Sequence, residues 1–375
     1  MTRNGRIAFF FVTSGRSGVD RLIRNLAPRI VERGHAVDVV RVRGHGPELG
    51  AGDSRVRVVE LNAAHAWSAL PGLVRYLRRE RPTVLVSGKD KVNRTAYLAR
   101  KLARVPVRQI FRFGTTASLA LPGRPWKERV LQSWSFRHLY PRVDRVLVPS
   151  EGVREDLIAS FGIPAERVRT VATPVVPEAL FSEPRARPAH PWFQPGEPAV
   201  VLGVGELSAR KDFGTLVRAF ARLRRRMECR LVLVGQGRQE ADLNALAEEL
   251  GVAEDVALLG FQSDPYAFMA HSSVLALTSR REGLGFVLIE AMALGTPVVA
   301  TDCPSGPRET LEDGRYGPLV EVGDWEGLAK ALEDTLTAPL PSETLRDAVR
   351  PFEIEAATTR YLEEMGLDPY PQQGL

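Results

Sequence analysis

The feature that most constrains how this chain folds is a repeated alternation of short apolar runs with longer amphipathic segments. A continuous apolar run at Arg6–Val12 precedes helical periodicity at Val19–Glu32, and similar periodicity marks Trp67–Glu80 and Lys91–Arg104. The other predicted strands of this half are Val37–Val42, Val56–Leu61, Thr83–Ser87, Val107–Phe113 and Arg145–Pro149. Short apolar strands that alternate with helices predict a mostly parallel sheet covered on both faces.

The alternation restarts after a proline-rich segment. Seven prolines lie between Thr173 and Pro198, and this density disfavours both helix and strand. Beyond it, Phe213–Arg225 and Gln239–Leu250 have helical periodicity. The strands predicted there are Ala199–Val204, Arg230–Val234, Val256–Leu259, Val274–Leu277, Pro297–Thr301 and Pro318–Val322.

The 375 residues therefore predict two doubly wound α/β domains of similar size. We expect a first Rossmann-like domain at 1–172, a linker at 173–198 and a second Rossmann-like domain at 199–350. Residues 351–375 are expected to form a helix and tail that pack back on the first domain. Ligands of such sheets bind at the carboxyl ends of the strands, so the natural site is the cleft between the two domains.

Charge is divided unevenly along the chain. Residues 1–197 contain 34 Lys and Arg against 17 Asp and Glu, whereas residues 198–375 contain 17 against 28. The basic half indicates either an anionic partner or a solvated arginine-rich surface. A phosphorylated acceptor and an anionic membrane are the favoured partners, because no nucleic-acid-binding motif accompanies the charge.

Composition argues against several other classes. No run of about 18 apolar residues predicts a membrane-spanning helix, and Met1–Phe11 is too short and poorly flanked for a signal peptide. Cys229 and Cys303 have no metal-site spacing and are expected to be packing residues in a reducing cytoplasm. No aspartate pair or histidine pair with ligand spacing is visible, so no metal is expected.

The densest group of reactive residues follows Thr278. Gly283 and Gly285 lie in a loop between a predicted strand and a helix, where glycines permit close approach of a ligand. The start of that helix offers N–H groups and a positive dipole end to a phosphate. Glu282 and Glu290 are expected to face sugar and ribose hydroxyls. Spacing alone is equally consistent with an N-terminal capping glutamate and a solvated helix glutamate.

Two further loops have suitable chemistry. Arg210 and Lys211 follow Gly203-Val204-Gly205 at a predicted helix start, where they are placed to neutralise a diphosphate or are simply solvated. Gly235 and Gly237 follow the strand Arg230–Val234. They suit either a turn beside a nucleotide or an ordinary strand-to-helix turn.

The setting of the two glutamates resembles a known signature. The pattern E-G-x-G-x-x-x-x-E-A-M-A-x-G-x-P-V-V runs from Glu282 to Val299 and is similar to that of retaining glycosyltransferases of family four, of the type that builds bacterial surface polysaccharides. Gly15–Gly18, Asp144–Phe161 and Arg308–Gly317 resemble other elements of the family. The resemblance implies the GT-B fold, with two Rossmann-like domains facing across a cleft, the first on the acceptor side and the second binding the donor nucleotide.

The resemblance also implies roles for single residues. Glu282 would contact the transferred sugar and Lys211 the diphosphate, and we predict both to be catalytic. Glu206 stands where the family has an arginine, which leaves the positive charge to Lys211 and Arg210. No histidine follows the strand Val107–Phe113, so no catalytic histidine is assigned. The predicted donor-binding residues are Glu290 for the ribose, Gly285 and Phe286 for the diphosphate, and Arg210, Gly283, Leu284, Gly205, Gly235 and Gly237.

The predicted activity is transfer of a sugar from a nucleotide-diphosphate donor, with UDP favoured, to a saccharide or polyprenyl-diphosphate-linked saccharide. The nucleotide sugar is the substrate and no cofactor is expected. Gly15, Gly18, Lys89 and Lys91 are the predicted acceptor-side residues, although the lysines are equally consistent with solvated loop positions. The basic helix face with Arg75, Arg78, Arg79 and Arg81 is expected to contact an anionic membrane from the cytoplasm.

Two alternatives stay open at this point. One is a non-catalytic relative that binds a sugar nucleotide or a glycan, which Glu206 and the missing histidine favour. The other is an NAD-dependent oxidoreductase, because Gly203-Val204-Gly205 begins like a dinucleotide fingerprint. The second alternative leaves the segment Glu282–Glu290 without a role.

Overall fold

The structure is a computed structural model that describes residues 5–13, 18–43, 45 and 55–370. It divides into two compact units. Unit 1 comprises Met1–Val175 and Phe352–Leu375, and unit 2 comprises Val176–Pro351. Within the described residues, no helix has the length and apolar character needed to cross a membrane.

Unit 1 is built on a sheet of seven described strands in the order β3-β2-β1-β4-β5-β6-β7, all parallel. The strands are β1 Arg6–Phe10, β2 Ala36–Val42, β3 Arg57–Leu61, β4 Val84–Gly88, β5 Arg108–Arg112, β6 Arg145–Val148 and β7 Val168–Thr170. The helices are α1 Gly18–Glu32, α2 Leu70–Glu80, α3 Asp90–Ala103, α4 Ala117–Ala120, α5 Trp126–His138 and α6 Glu151–Phe161.

The central strand β1 is buried on both faces, which explains its continuous apolar sequence. Ile7 and Phe9 belong to a core with α1 and the C-terminal helix, Ile354–Met365. Ala8 and Phe10 point to the opposite core, which α2 and α3 cover. Alternate side chains of one strand therefore supply two separate cores.

Unit 2 contains six described parallel strands in the order β10-β9-β8-β11-β12-β13. They are β8 Ala199–Val204, β9 Cys229–Val234, β10 Val256–Leu258, β11 Val274–Leu277, β12 Val298–Thr301 and β13 Leu319–Val320. The helices are α7 Ala179–Ser182, α8 Phe213–Arg224, α9 Glu240–Glu249, α10 Pro265–Ala270, α11 Phe286–Ala293, α12 Pro307–Thr310, α13 Trp325–Thr337 and α14 Ser342–Ala348, and the C-terminal helix of unit 1 becomes α15.

Counted within each unit, the first six strands of both sheets have the order 3-2-1-4-5-6, and β7 extends the sheet of unit 1 next to β6. The order reverses between β1 and β4 in unit 1 and between β8 and β11 in unit 2. Loops on the two sides of such a switch point separate and leave a crevice at the carboxyl end of the sheet. The predicted doubly wound α/β architecture is confirmed. In each unit, the switch point is the position where a ligand site is expected.

The proline-rich segment differs from its predicted form. It contains the single helical turn α7 and a 3₁₀ turn at Pro191–Phe193, so the expectation that it lacks helix was wrong. In each turn the prolines lie outside the turn or at its first position, where proline costs no hydrogen bond. The Phe193 ring packs edge-on against Phe268 at 5.4 Å, so the segment is anchored to unit 2.

Candidate active site

The loop after β8 begins at a glycine that the geometry requires. Gly205 has φ +154°, and its N–H donates to the Val234 carbonyl at 2.9 Å. A Cβ atom at this position would lie 3.0 Å from Cε of Lys211. The missing side chain therefore leaves space for the lysine stem to lie against the loop.

Two more glycines allow the loop after β9 to pack backbone against backbone on this loop. A Cβ on Gly235 would lie 1.8 Å from the Gly205 carbonyl oxygen, and a Cβ on Gly237 would lie 2.2 Å from that of Leu207. Gly235 also has φ +146°. Gly235 and Gly237 are thus needed for the close approach of two switch-point loops, whatever binds there.

The loops after β8 and β11 are joined directly. The Thr278 hydroxyl donates to the Lys211 carbonyl at 2.9 Å, and the Arg280 N–H donates to the Arg210 carbonyl at 2.8 Å. Residues 67 to 70 positions apart in sequence therefore form one polar surface at the β8/β11 switch point.

At its centre lies the carboxylate of Glu282. Its Oε1 accepts from Lys211 Nζ at 2.7 Å, from Arg210 Nη1 at 2.9 Å and from Ser279 Oγ at 2.7 Å. The side chains of Glu282 and Lys211 are 11% and 10% exposed, and that of Arg210 is 37% exposed. The three predicted residues are brought together, and the two cations outnumber the carboxylate.

The electrostatic balance favours the ionised carboxylate. Burial alone would raise the pKa of Glu282, but the nearby charges of Lys211 and Arg210 and the hydrogen bonds from Lys211 and Ser279 hold the pKa below its ordinary value. The site is therefore a compact charged cluster with an excess of positive charge.

The start of α11 lies in the same loop. Gly285, with φ +77°, immediately precedes the helix, so residues 283–285 lead directly to its N–H groups. The Leu284 carbonyl accepts from Thr310 Oγ1 at 3.2 Å, and a Cβ on Gly306 would lie 2.7 Å from Leu284 Cα. Contacts with Thr310 and Gly306 therefore hold this loop in place. The N-terminus of α11 begins four residues after Glu282 in the sequence.

Glu290 is not a solvated helix residue. It lies on α11 with only 2% of its surface exposed. A carboxylate at such a depth is unusual and needs polar neighbours. Its burial excludes the solvated interpretation that spacing alone allowed.

Several neighbours of Glu282 were not predicted. Ser279 contacts its carboxylate, and the Glu282 N–H donates to the Pro304 carbonyl at 3.1 Å. Cys303 is buried, and burial together with the negative charge of Glu282 raises the pKa of its thiol to about 12. Ser279 could have been predicted as a neighbour, because it lies only three residues before Glu282 in the sequence. No sequence pattern predicts that residues 303–305 approach Glu282. Cys229 is buried too, consistent with its expected packing role.

The predicted acceptor-side residues are less closely grouped. Gly15 lies outside the described residues, and Gly18 is the first residue of α1. Lys89 is exposed and has φ +69° just before α3, at the β1/β4 switch point. Lys91 Nζ pairs with Glu128 Oε1 at 2.6 Å, so its charge is already partnered.

Two other predicted features are exposed. On α2, Arg75, Arg78 and Arg79 all face solvent, and Arg78 donates to the Leu102 carbonyl at 2.8 Å. Glu206 is exposed in the loop after β8. Within the part of the chain that the structure describes, no group of three or more His, Cys, Asp and Glu side chains is arranged to hold a metal ion.

Two family models match this chain. The family model described as Glycosyltransferase Family 4 matches residues 16–179, and that described as Glycosyl transferases group 1 matches residues 188–350. Between them they span most of both units. The chain belongs to glycosyltransferase family 4. The predicted family is confirmed, and the Glu282 cluster lies in the part that the group 1 model matches.

Several curated glycosyltransferases are similar to this chain. A Campylobacter jejuni N-acetylgalactosamine-N,N'-diacetylbacillosaminyl-diphospho-undecaprenol 4-alpha-N-acetylgalactosaminyltransferase is 36% identical over 52% of this chain and 53% of its own length. The Rhizobium meliloti lipopolysaccharide core biosynthesis glycosyltransferase LpsE is 37% identical over 47% of this chain and 52% of its own. The chain spans about half the length of these curated relatives.

Solved structures share the whole fold. Anabaena HepE in complex with UDP aligns with a TM-score of 0.78 at 19% identity, covering 96% of this chain and 99% of that one. The lipopolysaccharide outer core galactosyltransferase WaaB aligns with a TM-score of 0.74 at 21% identity over the same shares. The family 4 chain therefore has the GT-B fold of two Rossmann-like domains.

Proposed function

We propose that this family 4 member is a metal-independent retaining glycosyltransferase that moves a hexosyl or N-acetylhexosaminyl group from a nucleoside diphosphate sugar, preferably a UDP-sugar. The acceptor is a saccharide or a polyprenyl-diphosphate-linked saccharide in surface glycan assembly. The observation that carries the proposal is the Glu282 cluster, in which one carboxylate meets Lys211 and Arg210 beside the N-terminus of α11.

The charge of this cluster suits a diphosphate. Lys211 and Arg210 contribute two positive charges and Glu282 one negative charge, and the helix N-terminus adds a partial positive charge. Charge-assisted hydrogen bonds from lysine and arginine are among the strongest contacts to phosphate oxygens. Preorganised cations that face a departing diphosphate stabilise the charge that develops in the transition state.

The same cluster suits the sugar as well. An ionised carboxylate accepts hydrogen bonds from hydroxyl groups, and the lowered pKa of Glu282 keeps it ionised at neutral pH. In the proposed role, Glu282 orients sugar hydroxyls, while Lys211 and Arg210 turn to the diphosphate. Glu290, buried on α11, is proposed to bind the ribose.

The proposed transfer retains the anomeric configuration. The bond between the anomeric carbon and the diphosphate oxygen breaks, and the bond to the acceptor oxygen forms on the same face. The acceptor proton passes to the departing phosphate oxygen, so no protein nucleophile is required. The protein contributes position and charge stabilisation.

The comparisons support particular substrates. HepE has been solved with UDP and with UDP-glucose, which favours UDP-sugars as donors. The Campylobacter relative has a name that specifies a diphospho-undecaprenol-linked acceptor. We therefore propose that the protein works from the cytoplasm with peripheral membrane contact, and the basic unit 1 is the side proposed for the acceptor.

One other function has an observation in its favour. Glu206 is exposed in the loop after β8, at a position where the resemblance to the family implies an arginine. A sugar-nucleotide-binding protein without transferase activity would keep the fold and bind a donor without turnover.

A donor panel separates the two functions. Purified protein is incubated with UDP- and GDP-sugars, slow hydrolysis is followed by nucleotide release, and UDP and GDP binding are measured by calorimetry. We expect UDP binding and slow hydrolysis of one or a few UDP-sugars. Binding with no hydrolysis or transfer would favour the non-catalytic protein, and a folded protein that binds none of the nucleotides would exclude both.

A further inference from the structure

Helix α5 of unit 1 exposes several large apolar side chains to solvent. Trp126 is 68% exposed, Val130 61% and Trp134 47%. The buried side chains of α5 are Gln132, Ser135 and Phe136, and Ser135 Oγ donates to Asp90 Oδ1 at 2.6 Å. Apolar residues therefore lie on both the buried and the solvent-facing side of α5, whereas an ordinary surface helix exposes a polar face.

The exposed apolar residues form one stripe. Trp126, Val130 and Trp134 are spaced four residues apart, so they lie above one another on the same face of the helix. Together with neighbouring polar residues they line a shallow cavity of about 570 Å³. Scattered exposed apolar residues are ordinary, but a continuous stripe with two tryptophans marks an interaction surface.

Positive charge surrounds the stripe. The exposed cations on and beside α5 are Arg124, Lys127, Arg129 and Arg137. The acidic residue between them, Glu128, is paired with Lys91 and Arg124. Tryptophan has an apolar ring with a polar edge and is enriched where hydrocarbon meets water. Tryptophans ringed by lysine and arginine are typical of a helix that lies in the interface of an anionic bilayer.

The geometry points to the outward face of α5 as the surface by which this protein docks on an anionic lipid bilayer. Trp126 and Trp134 enter the headgroup region, and the surrounding cations contact the lipid phosphates. The partner is a membrane rather than a protein groove, because the cations around the stripe are complementary to acidic lipids and its two exposed tryptophans suit the headgroup region.

Docking in this way has a consequence for the acceptor, which rests on the proposed function. The Ser135–Asp90 hydrogen bond and the Lys91–Glu128 ion pair fasten α5 to the start of α3, directly after β4. The acceptor-side switch point of unit 1 is thereby held beside the membrane surface. A polyprenyl-diphosphate acceptor, whose lipid stays in the bilayer, would present its saccharide at this point.

The α2 surface predicted from sequence fits a membrane less well. Arg75, Arg78 and Arg79 border Leu102, which is 52% exposed, but no tryptophan lies among the residues that line this surface. Arg78 and Arg79 are also engaged with the Leu102 carbonyl and with Glu80. The assignment of membrane contact therefore moves from α2 to α5.

Vesicle binding tests the assignment. The full chain is sedimented with phosphatidylcholine vesicles containing phosphatidylglycerol, and with pure phosphatidylcholine vesicles, at low and high salt. We expect salt-sensitive binding to the anionic vesicles only, and a loss of roughly tenfold in the partition coefficient for the double variant Trp126→Gln/Trp134→Gln. The controls Arg75→Gln/Arg79→Gln and Trp67→Gln should stay within about twofold of wild type.

A second readout reports the position of the rings. Brominated lipids should quench the tryptophan fluorescence of the wild-type protein, and Trp126→Phe/Trp134→Phe should remove most of that quenching while vesicle binding persists. Unchanged quenching in the Phe variant, or unchanged binding in the Gln variant, would overturn the assignment. So would a dimer, detected by light scattering, that forms only when Trp126 and Trp134 are present.

Failure of the proposed membrane surface can be distinguished from failure of the proposed function. Hydrolysis of UDP-sugars in solution requires the donor cluster of unit 2 and no membrane. Failure of vesicle binding with intact hydrolysis would reject the α5 surface alone, whereas loss of donor binding and hydrolysis in the wild-type protein would reject the proposed function.

Discussion

Two carboxylates follow corresponding strands of the two units and have different surroundings. Asp90 follows β4 and Glu282 follows β11, and both strands are fourth in the shared order 3-2-1-4-5-6. Glu282 meets two cations, which hold its pKa below the ordinary value. Burial raises the pKa of Asp90, although the Ser135 hydrogen bond and Arg94, at 3.2 Å, act in the other direction.

The difference shows that topology fixes where a site lies and side chains fix its chemistry. Around Glu282, charged groups converge on one carboxylate oxygen. Asp90 accepts a hydrogen bond from Ser135 Oγ at 2.6 Å and pairs with Arg94 at 3.2 Å, so one paired cation faces this carboxylate where two face that of Glu282. The Glu282 cluster therefore has an excess of positive charge, whereas the charges of Asp90 and Arg94 balance.

The largest effect is expected from Glu282→Gln. The amide keeps the shape of the side chain but loses the charge that orients sugar hydroxyls, so transfer or donor hydrolysis should fall by roughly 10²–10³-fold. UDP affinity should be unchanged or higher, because Lys211 and Arg210 lose their only shared carboxylate partner among the described residues. Steady-state kinetics and calorimetry measure the two quantities.

A matched control is Glu248→Gln, an exposed glutamate on α9 away from the switch point. It should stay within about twofold in both measurements. A Glu282→Gln enzyme whose rate stays within a few-fold of wild type would show that the charged cluster is structural, and the contrast with Asp90 would lose its functional meaning.

The features of the proposed donor site that were predicted from the sequence are local ones. The Gly283–Glu290 segment lies within a few residues of one strand end, and a loop between strand and helix fixes its position. The two strand orders follow the common doubly wound pattern, so the meeting of Lys211 with Glu282 follows once both loops are assigned to one switch point. The spacing did not predict that Lys211 and Arg210 would share one carboxylate oxygen.

The features that sequence missed depend on distant contacts. The stripe Trp126, Val130 and Trp134 has the periodicity of a core-facing helix, and only the position of α5 on unit 1 shows that it faces solvent. The ion pair of Lys91 with Glu128 joins residues 37 positions apart. Neither the exposure of the stripe nor the ion pair can be predicted from the local sequence, because both depend on how the helices pack in the folded unit.

The next effect separates two lysines that each pair with a glutamate. Lys211 is 10% exposed in its pair with Glu282, whereas Lys91 is 60% exposed in its pair with Glu128. Lys211→Gln should weaken UDP binding by at least tenfold, because a buried charge-assisted contact to phosphate is lost. Lys91→Gln should leave UDP affinity within about twofold. Calorimetric titration with UDP compares them, and equal losses in the two variants would mean that the nucleotide is bound by both units.

The smallest effect concerns stability against pH. The folded pKa of Glu282 lies below its unfolded value of 4.5, so its ionised form stabilises the folded protein above pH 4.5, and that contribution is lost as the pH falls further. The folded pKa of Asp90 lies above its unfolded value of 3.8, so the wild type loses stability as the pH rises through this range. The two carboxylates should thus give opposite slopes.

Unfolding in urea at pH values from 3.5 to 7 measures those slopes for wild type, Glu282→Gln and Asp90→Asn. The advantage of wild type over Glu282→Gln in the free energy of unfolding should shrink as the pH falls below 4.5. The stability of the wild type relative to Asp90→Asn should fall as the pH rises through the same range. Parallel slopes would show that the two carboxylates experience the same balance of burial and charge, because only opposite net shifts produce opposite proton uptake on unfolding.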